Sequence, residues 1–252
     1  MLNVMKGMLV GVNKMLATWG LQLSRRSTTR KTMTEALQHV ARLGFIPQTV
    51  IDVGVAYGTF ELYEAFPHAR HLLVEPLAEY QGVLDDIAAK YNAECVLAAA
   101  SATSGTTVVH VHPELSGSSI YRETEGSHVD GIPREVPLVT LDDLCREKEL
   151  VGPFLIKADV QGAELQVLEG AKKILEETEL VILEVSLFQF FLNGPQFHDV
   201  VSNMKCHGFV VYDIFGGHCR PFDNALAQVD VAFVKEHGLF RQSHCYATRK
   251  QR

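Results

Sequence analysis

The sequence predicts an α/β fold with a mainly parallel sheet covered on both faces, and three observations carry that expectation. Near-continuous apolar runs recur, such as Phe154 to Ala158 and Leu180 to Val185, and strands buried on both faces read this way. Stretches with apolar residues three and four apart separate the runs, so crossover helices join the strands. Glycines and carboxylates stand just after several runs, where an open sheet presents its ligand-binding rim.

Taken in order, Thr32 and Glu35 have capping-box spacing ahead of a helix carrying Leu37, Val40 and Leu43, which Gly44 is placed to end. Thr49 to Val53 is a β-branched strand, Tyr57 to Phe66 a helix, His71 to Glu75 a second strand, and Leu77 to Tyr91 a second helix. A third strand around Glu94 to Ala100 has Thr106 to His112 as its expected hairpin partner. A loop of roughly twenty residues, rich in Ser, Gly and Glu, follows, and loops of that length in compact domains often carry function. Glu135 to Thr140 reads as a short strand, Leu141 to Lys148 as a turn or two of helix, and Phe154 to Ala158 as a buried strand. Ala163 to Leu175 reads as one helix, Leu180 to Val185 as a strand and Gln196 to His207 as a helix. Phe209 to Phe215 and Gln228 to Val234 are the last two strands.

At 252 residues the chain is long for one domain, but α/β folds reach this size as a unit. The expected division is an extension over residues 1–31 and a main domain over 32–252. The formal net charge of −7 argues against a nucleic-acid partner, and five scattered cysteines without a C-x-x-C suit a reducing cytoplasm. Charge is uneven, however. No acidic residue precedes Glu35, while Lys6, Lys14, Arg25, Arg26, Arg30 and Lys31 are basic; the remainder holds 17 basic and 30 acidic residues, a net −13. Leu2, Met5, Leu9, Val12, Leu16, Trp19 and Leu23 lie three and four apart, which describes a cationic amphipathic helix. Such a helix packs on the main domain or a second copy, or else docks on an anionic membrane surface. The same acid-poor, Ser-containing start also resembles an organelle transit peptide.

Three segments carry chemistry. After the first strand, Gly54 and Gly58 in Asp52-Val-Gly-Val-Ala-Tyr57-Gly58 let the backbone bend sharply and approach a ligand, although the spacing is not G-x-G-x-x-G. Glu75, followed by Pro76, ends the second strand 23 residues after Asp52, where an acid can accept hydrogen bonds from vicinal ribose hydroxyls. Together they favour a nucleoside ligand. The third segment, Lys157-Ala-Asp159-Val-Gln-Gly162-Ala-Glu164, delivers Asp159 to the sheet edge and puts Glu164 in a first helical turn, where capping or dipole compensation would by itself account for it.

With Ser118-Ser119-Ile120, Thr140-Leu141-Asp142-Asp143-Leu144 and the block from Lys157 to Gly170, these segments resemble the FkbM family of S-adenosylmethionine-dependent methyltransferases over roughly residues 45 to 235. The resemblance implies a Rossmann-like seven-stranded sheet with its last strand antiparallel. It also implies S-adenosylmethionine as cofactor and methyl transfer to a hydroxyl of a sugar, glycan or polyketide-like acceptor. By it, Asp52 and Gly54 would lie along the methionine, Glu75 would hold the ribose, Ala99, Ala100 and Ser101 would border adenine, and Asp159 would face the methionine end and the acceptor. The chain departs from the family in carrying Val55-Ala56 where Ala-Asn is frequent, which removes an amide beside the cofactor.

Transfer to an alcohol calls for a base, and Asp159 comes first, with His112 and Glu184 after it and His110 and His128 near the loop. Ser118, Ser119 and Tyr121 are candidates for hydrogen-bonding a polyhydroxylated acceptor, with Glu164 beside them; turn chemistry accounts for the loop residues equally well. Tyr57 covers the methionine end or packs on the sheet, and Phe188, Phe190 and Phe191 line the acceptor pocket or the core. No metal is expected: His110 with His112, or Asp159 with Glu184 or Asp142, lacks a full ligand spacing. Two rival readings are an NAD-dependent oxidoreductase, whose phosphate-binding turn is missing, and a methyltransferase-fold module without activity.

Overall fold

The computed structural model describes residues 29–247 together with Val12, Met15, Leu16 and Thr18. The chain divides into two compact units, residues 1–30 and 31–252. The amphipathic helix expected over residues 2–23 lies outside the described residues apart from the four named. Among the described residues no helix is long and apolar enough to cross a membrane.

The main unit opens with helix α1 (Met33–Arg42), where the Thr32 side chain accepts from the Glu35 amide and Leu37 and Val40 are buried. Glu35 reaches back to the Lys31 amide, one residue earlier than a standard capping box requires. Strand β1 (Thr49–Val53) follows, then α2 (Phe60–Ala65), β2 (Arg70–Val74), a single 3-10 turn, α3 (Gln81–Lys90) and β3 (Ala93–Val96). After β4 (Ala99–Ala100), β5 (Gly105–Val111) and β6 (Ile132–Val139) come α4 (Leu141–Glu147) and β7 (Phe154–Ala158). The chain continues through α5 (Glu164–Glu169), α6 (Lys172–Leu175), β8 (Thr178–Ser186), α7 (Phe197–Cys206), β9 (Phe209–Cys219) and β10 (Leu226–Lys235).

Seven strands form the main sheet in the order β3-β2-β1-β7-β8-β10-β9. All neighbours up to β8 run parallel, and β10 is antiparallel to both β8 and β9, so the last strand alone runs against the rest. Each face carries a core. Ile51 and Val53 turn toward a cluster with Leu144, Val167, Leu168 and Met204, whereas Val50 faces Leu37, Leu62, Tyr63 and Leu84. This is the period-2 consequence of a strand buried on both sides.

Three expectations change. The third strand is two pieces in different sheets: the Ala98 amide bonds back to the Val96 carbonyl, and β4 then joins β6 in a three-stranded sheet of order β4-β6-β5. The hairpin partner of β5 is therefore β6, paired from Gly105 with Leu138 to Val111 with Ile132, and the long loop is the connection between them. The single helix after β7 breaks into α5 and α6 at Gly170, where a Cβ would stand 2.0 Å from the Ser101 carbonyl oxygen. Asp142 then caps the second piece by accepting from the Lys173 and Ile174 amides, so it is committed to helix capping.

Candidate active site

The β1 loop is built from left-handed residues, Gly54 at φ +75°, Ala56 at +45° and Gly58 at +95°, and this run delays the start of α2 to Phe60. At Gly54 the approach is as close as the sequence suggests, but its partner is protein: a Cβ there would lie 1.8 Å from the Asp159 carbonyl oxygen. The tightened rim leaves a cavity of about 420 Å³ beyond the carboxyl ends of β1, β2, β7 and β8, within the range of roughly 300–1,000 Å³ usual for small-molecule sites.

Glu75 lines this cavity and is held on both oxygens. The Ala56 amide donates to Oε2 at 3.0 Å and the Leu77 amide to Oε1 at 2.9 Å. Each oxygen keeps a further lone pair, so the carboxylate can still take two donors from a ligand. Burial raises its pKa, and the two amides pull the other way. Gly54, Pro76, Ala99 and Ala100 also line the cavity, and Leu77, Ala98 and Val109 add an apolar wall. An acid with two free acceptor positions next to an apolar wall suits a nucleoside: diol on the acid, base on the wall.

Asp159 and Glu184, at the ends of β7 and β8, line the cavity as well. Gln161, at φ +52°, donates through one amide nitrogen to Asp159 Oδ1 at 2.9 Å and Glu184 Oε2 at 3.0 Å. Gln228 from β10 donates to the same Glu184 oxygen at 2.8 Å. Burial, then the charge of Asp159 and a hydrogen bond to it, push Glu184 up to about 9. Beneath them Lys157 Nζ lies 3.5 Å from Asp159 and 3.6 Å from Asp52. Burial opposes its charge, but the surrounding carboxylates, Asp159 foremost, raise its pKa overall.

Several expected residues lie elsewhere. Asp52 is fully buried: β1 turns it to the face covered by α2, the Tyr63 hydroxyl donates to it, and Lys157 stands beside it in register on β7. It shapes the floor and does not reach the cavity. Tyr57 is 63% exposed with its ring edge-on to Tyr80, and Gly58 packs on Phe60 and Ile87. Ser101 donates to Gln166, which in turn donates to the Tyr121 hydroxyl; neither Ser101 nor Tyr121 lines the cavity. Glu164 is buried and takes the Val160 and Gly162 amides on one oxygen, so it ties down the turn before α5 and does not cap the helix; burial pushes it up to about 7.

Ser118 and Ser119 do line the cavity. Their side chains also make local bonds, Ser118 accepting from the His112 amide and Ser119 donating to the Gln161 carbonyl. His112 lies in an adjoining space of about 250 Å³, between Glu114 at 3.6 Å and Glu123 at 3.9 Å, with Phe190, Phe191, His218 and Arg220 around it. Phe188 instead stacks under the Arg220 guanidinium. Gln161, His218 and Gln228 border both spaces; Gln161 stood inside the Lys157–Gly170 block without a role given to it, and no motif marked His218 or Gln228. Among the described residues no three His, Cys, Asp or Glu side chains converge as metal ligands.

A Rossmann-like sheet with β10 inserted antiparallel, and a nucleoside-sized cavity on the carboxyl rim, is the architecture of class I methyltransferases. Residues 52–211 match the methyltransferase FkbM domain, and the chain belongs to that family. Among solved structures it is similar to a methyltransferase FkbM from Methylobacillus flagellatus at 15% identity and a TM-score of 0.47, covering 73% of this chain and 43% of that one. It is also similar to a precorrin-6y C5,15-methyltransferase from Geobacter metallireducens at 14% identity and a TM-score of 0.44, covering 86% and 93% of the two chains. The magnesium protoporphyrin IX methyltransferase of Synechocystis, solved with bound S-adenosylmethionine, matches at 12% identity and a TM-score of 0.44, covering 80% and 76%. No curated protein matches the chain.

Proposed function

We propose that this protein transfers a methyl group from S-adenosylmethionine to a hydroxyl of a sugar, glycan or similar polyhydroxylated acceptor. The observation that carries the reading is Glu75: a buried carboxylate, fixed by two backbone amides, that still offers acceptor positions to one cavity. In this reading Glu75 holds the ribose diol, Ala98 to Ala100 border the adenine, and Gly54 and Asp159 border the methionine end. The adjoining space around His112 and Phe190 takes the acceptor.

The bound cofactor supplies an electrophilic methyl on a sulfonium. The protein's part is alignment and proton removal. Asp159, whose carboxylate is fixed by Gln161 and flanked by Lys157, would take the hydroxyl proton of the acceptor as the methyl group is transferred. A positioned base of this kind contributes roughly 100- to 10,000-fold. Calorimetric titration with S-adenosylhomocysteine, followed by label transfer from S-adenosylmethionine to sugars and glycans, tests the proposal. Micromolar binding and labelled, base-stable ethers are expected, with label transfer lost in Asp159→Asn while S-adenosylhomocysteine still binds. Binding of NAD in place of S-adenosylhomocysteine, or of neither, refutes the assignment.

A further inference from the structure

Asp159 and Glu184 are two carboxyl groups tied together by a single amide nitrogen of Gln161, with Gln228 fixing the Glu184 oxygen from the opposite side. A base needs only one carboxylate, so the second calls for its own account. The groups facing Glu184 are mostly of its own sign: Asp159 at the end of β7, Glu164 in α5 and Asp230 on β10. Lys157 is the buried cation below, shared among Asp52, Asp159, Asp230 and Glu184, and His218 borders the same cavity. Burial and these like-signed neighbours raise the pKa of Glu184, so Glu184 holds a proton that a further positive charge beside it would release.

The reading of the cavity as a cofactor site, on which this inference rests, provides that charge. The donor is a sulfonium cation, while the product is a neutral thioether. We infer that Glu184, tied to Asp159 through Gln161, reads the charge of the cofactor: it gives up its proton when the sulfonium binds and keeps it when the thioether binds. The pair thereby favours donor over spent product and is fully ionised only when a methyl group is ready for transfer. Proton accounting closes over one turnover. Sulfonium binding releases one proton to solvent; methyl transfer removes the cation and delivers the acceptor's hydroxyl proton to the pair. The pair is then singly protonated beside the thioether, as it was before binding. In this scheme Glu184 is a specificity and positioning residue, and Asp159 is the group that meets the acceptor.

The test uses the full-length protein, S-adenosylmethionine and S-adenosylhomocysteine without acceptor, and calorimetry near pH 7.5 in buffers of different ionisation enthalpy. The donor is expected to release close to one proton more than the product. Its affinity tightens with rising pH toward a limit of about tenfold per unit, while that of the product stays flat. Glu184→Gln removes the difference while S-adenosylhomocysteine still binds, and the variant also subtracts the ligands' own amine titrations. Infrared difference spectra of the unmodified protein give a second readout that needs no variant: a protonated carboxyl band disappears on adding the donor and persists with the product. Equal proton release for both ligands, or a difference that survives in Glu184→Gln, overturns the inference while leaving the cofactor assignment standing. Failure of both ligands to bind overturns the assignment itself.

Discussion

Replacing Glu75 separates what that side chain does for the fold from what it does for a ligand. In Glu75→Ala the Ala56 and Leu77 amides lose their acceptor. An orphaned buried donor costs about 1–3 kcal/mol. Only the Leu77 amide is buried in protein; the Ala56 amide opens on the cavity and water can reach it. Removing a carboxylate whose ionisation burial already disfavours returns part of the loss. The net expectation is a destabilisation of about 1–3 kcal/mol, read as a lower urea midpoint with unchanged slope. The ligand loses more. Two hydrogen bonds from a diol to a charged acceptor are worth about 1.5–3 kcal/mol each, so S-adenosylhomocysteine is expected to bind about 150- to 25,000-fold more weakly. Glu75→Gln keeps one acceptor oxygen but points an NH₂ at the other amide, and falls between. Titration calorimetry alongside the urea melts reads both quantities on one preparation. Binding within about threefold of the unmodified protein in both variants would refute the placement of the ribose on this acid.

Other outcomes follow from the same geometry. Gly54→Ala must adopt φ near +75° and move the Asp159 carbonyl from 1.8 Å, so it should cost about 3 kcal/mol or more; a urea midpoint like that of the unmodified protein would show that the β1–β7 rim is not closed this tightly. Ala56 sits at φ +45°, a conformation Asn tolerates better, so Ala56→Asn should stabilise by about 0.5–1 kcal/mol in the same melts. Glu164 titrates near 7 when folded against 4.5 ordinarily, so its contribution to stability is greatest below about 4.5 and is lost as pH rises through about 7. Because one oxygen takes both amides, Glu164→Gln preserves those bonds. Relative to the unmodified protein, the variant should gain up to about 3 kcal/mol between pH 5 and pH 8; parallel melting curves at the two pH values would contradict this.

Much of the site was legible because it sits where strands stop. Strand β7 is a run the apolar pattern marks and β1 one its β-branched residues mark, and an acid before Pro76 or a glycine after β1 stands at a rim position whatever packs around it. Asp52 shows the limit. Its place at the end of β1 was plain, but a strand residue has two faces, and which face α2 covers with Tyr63 is settled by packing. The serines and Tyr121 were ambiguous for a related reason, since short polar side chains satisfy local backbone groups and ligands alike.

The chain's own pattern determined the alternation of strands and helices, the glycine bend and the spacing of the rim carboxylates, because each depends on local periodicity and backbone freedom. Pairing across large sequence separation decided the rest. It sent β4 to β6, broke the helix at Gly170 against Ser101, and brought Gln228 from β10 to Gln161 and Glu184. Those contacts exist only once the sheet has closed in its register, and local sequence carries no record of which distant polar group will satisfy a buried one.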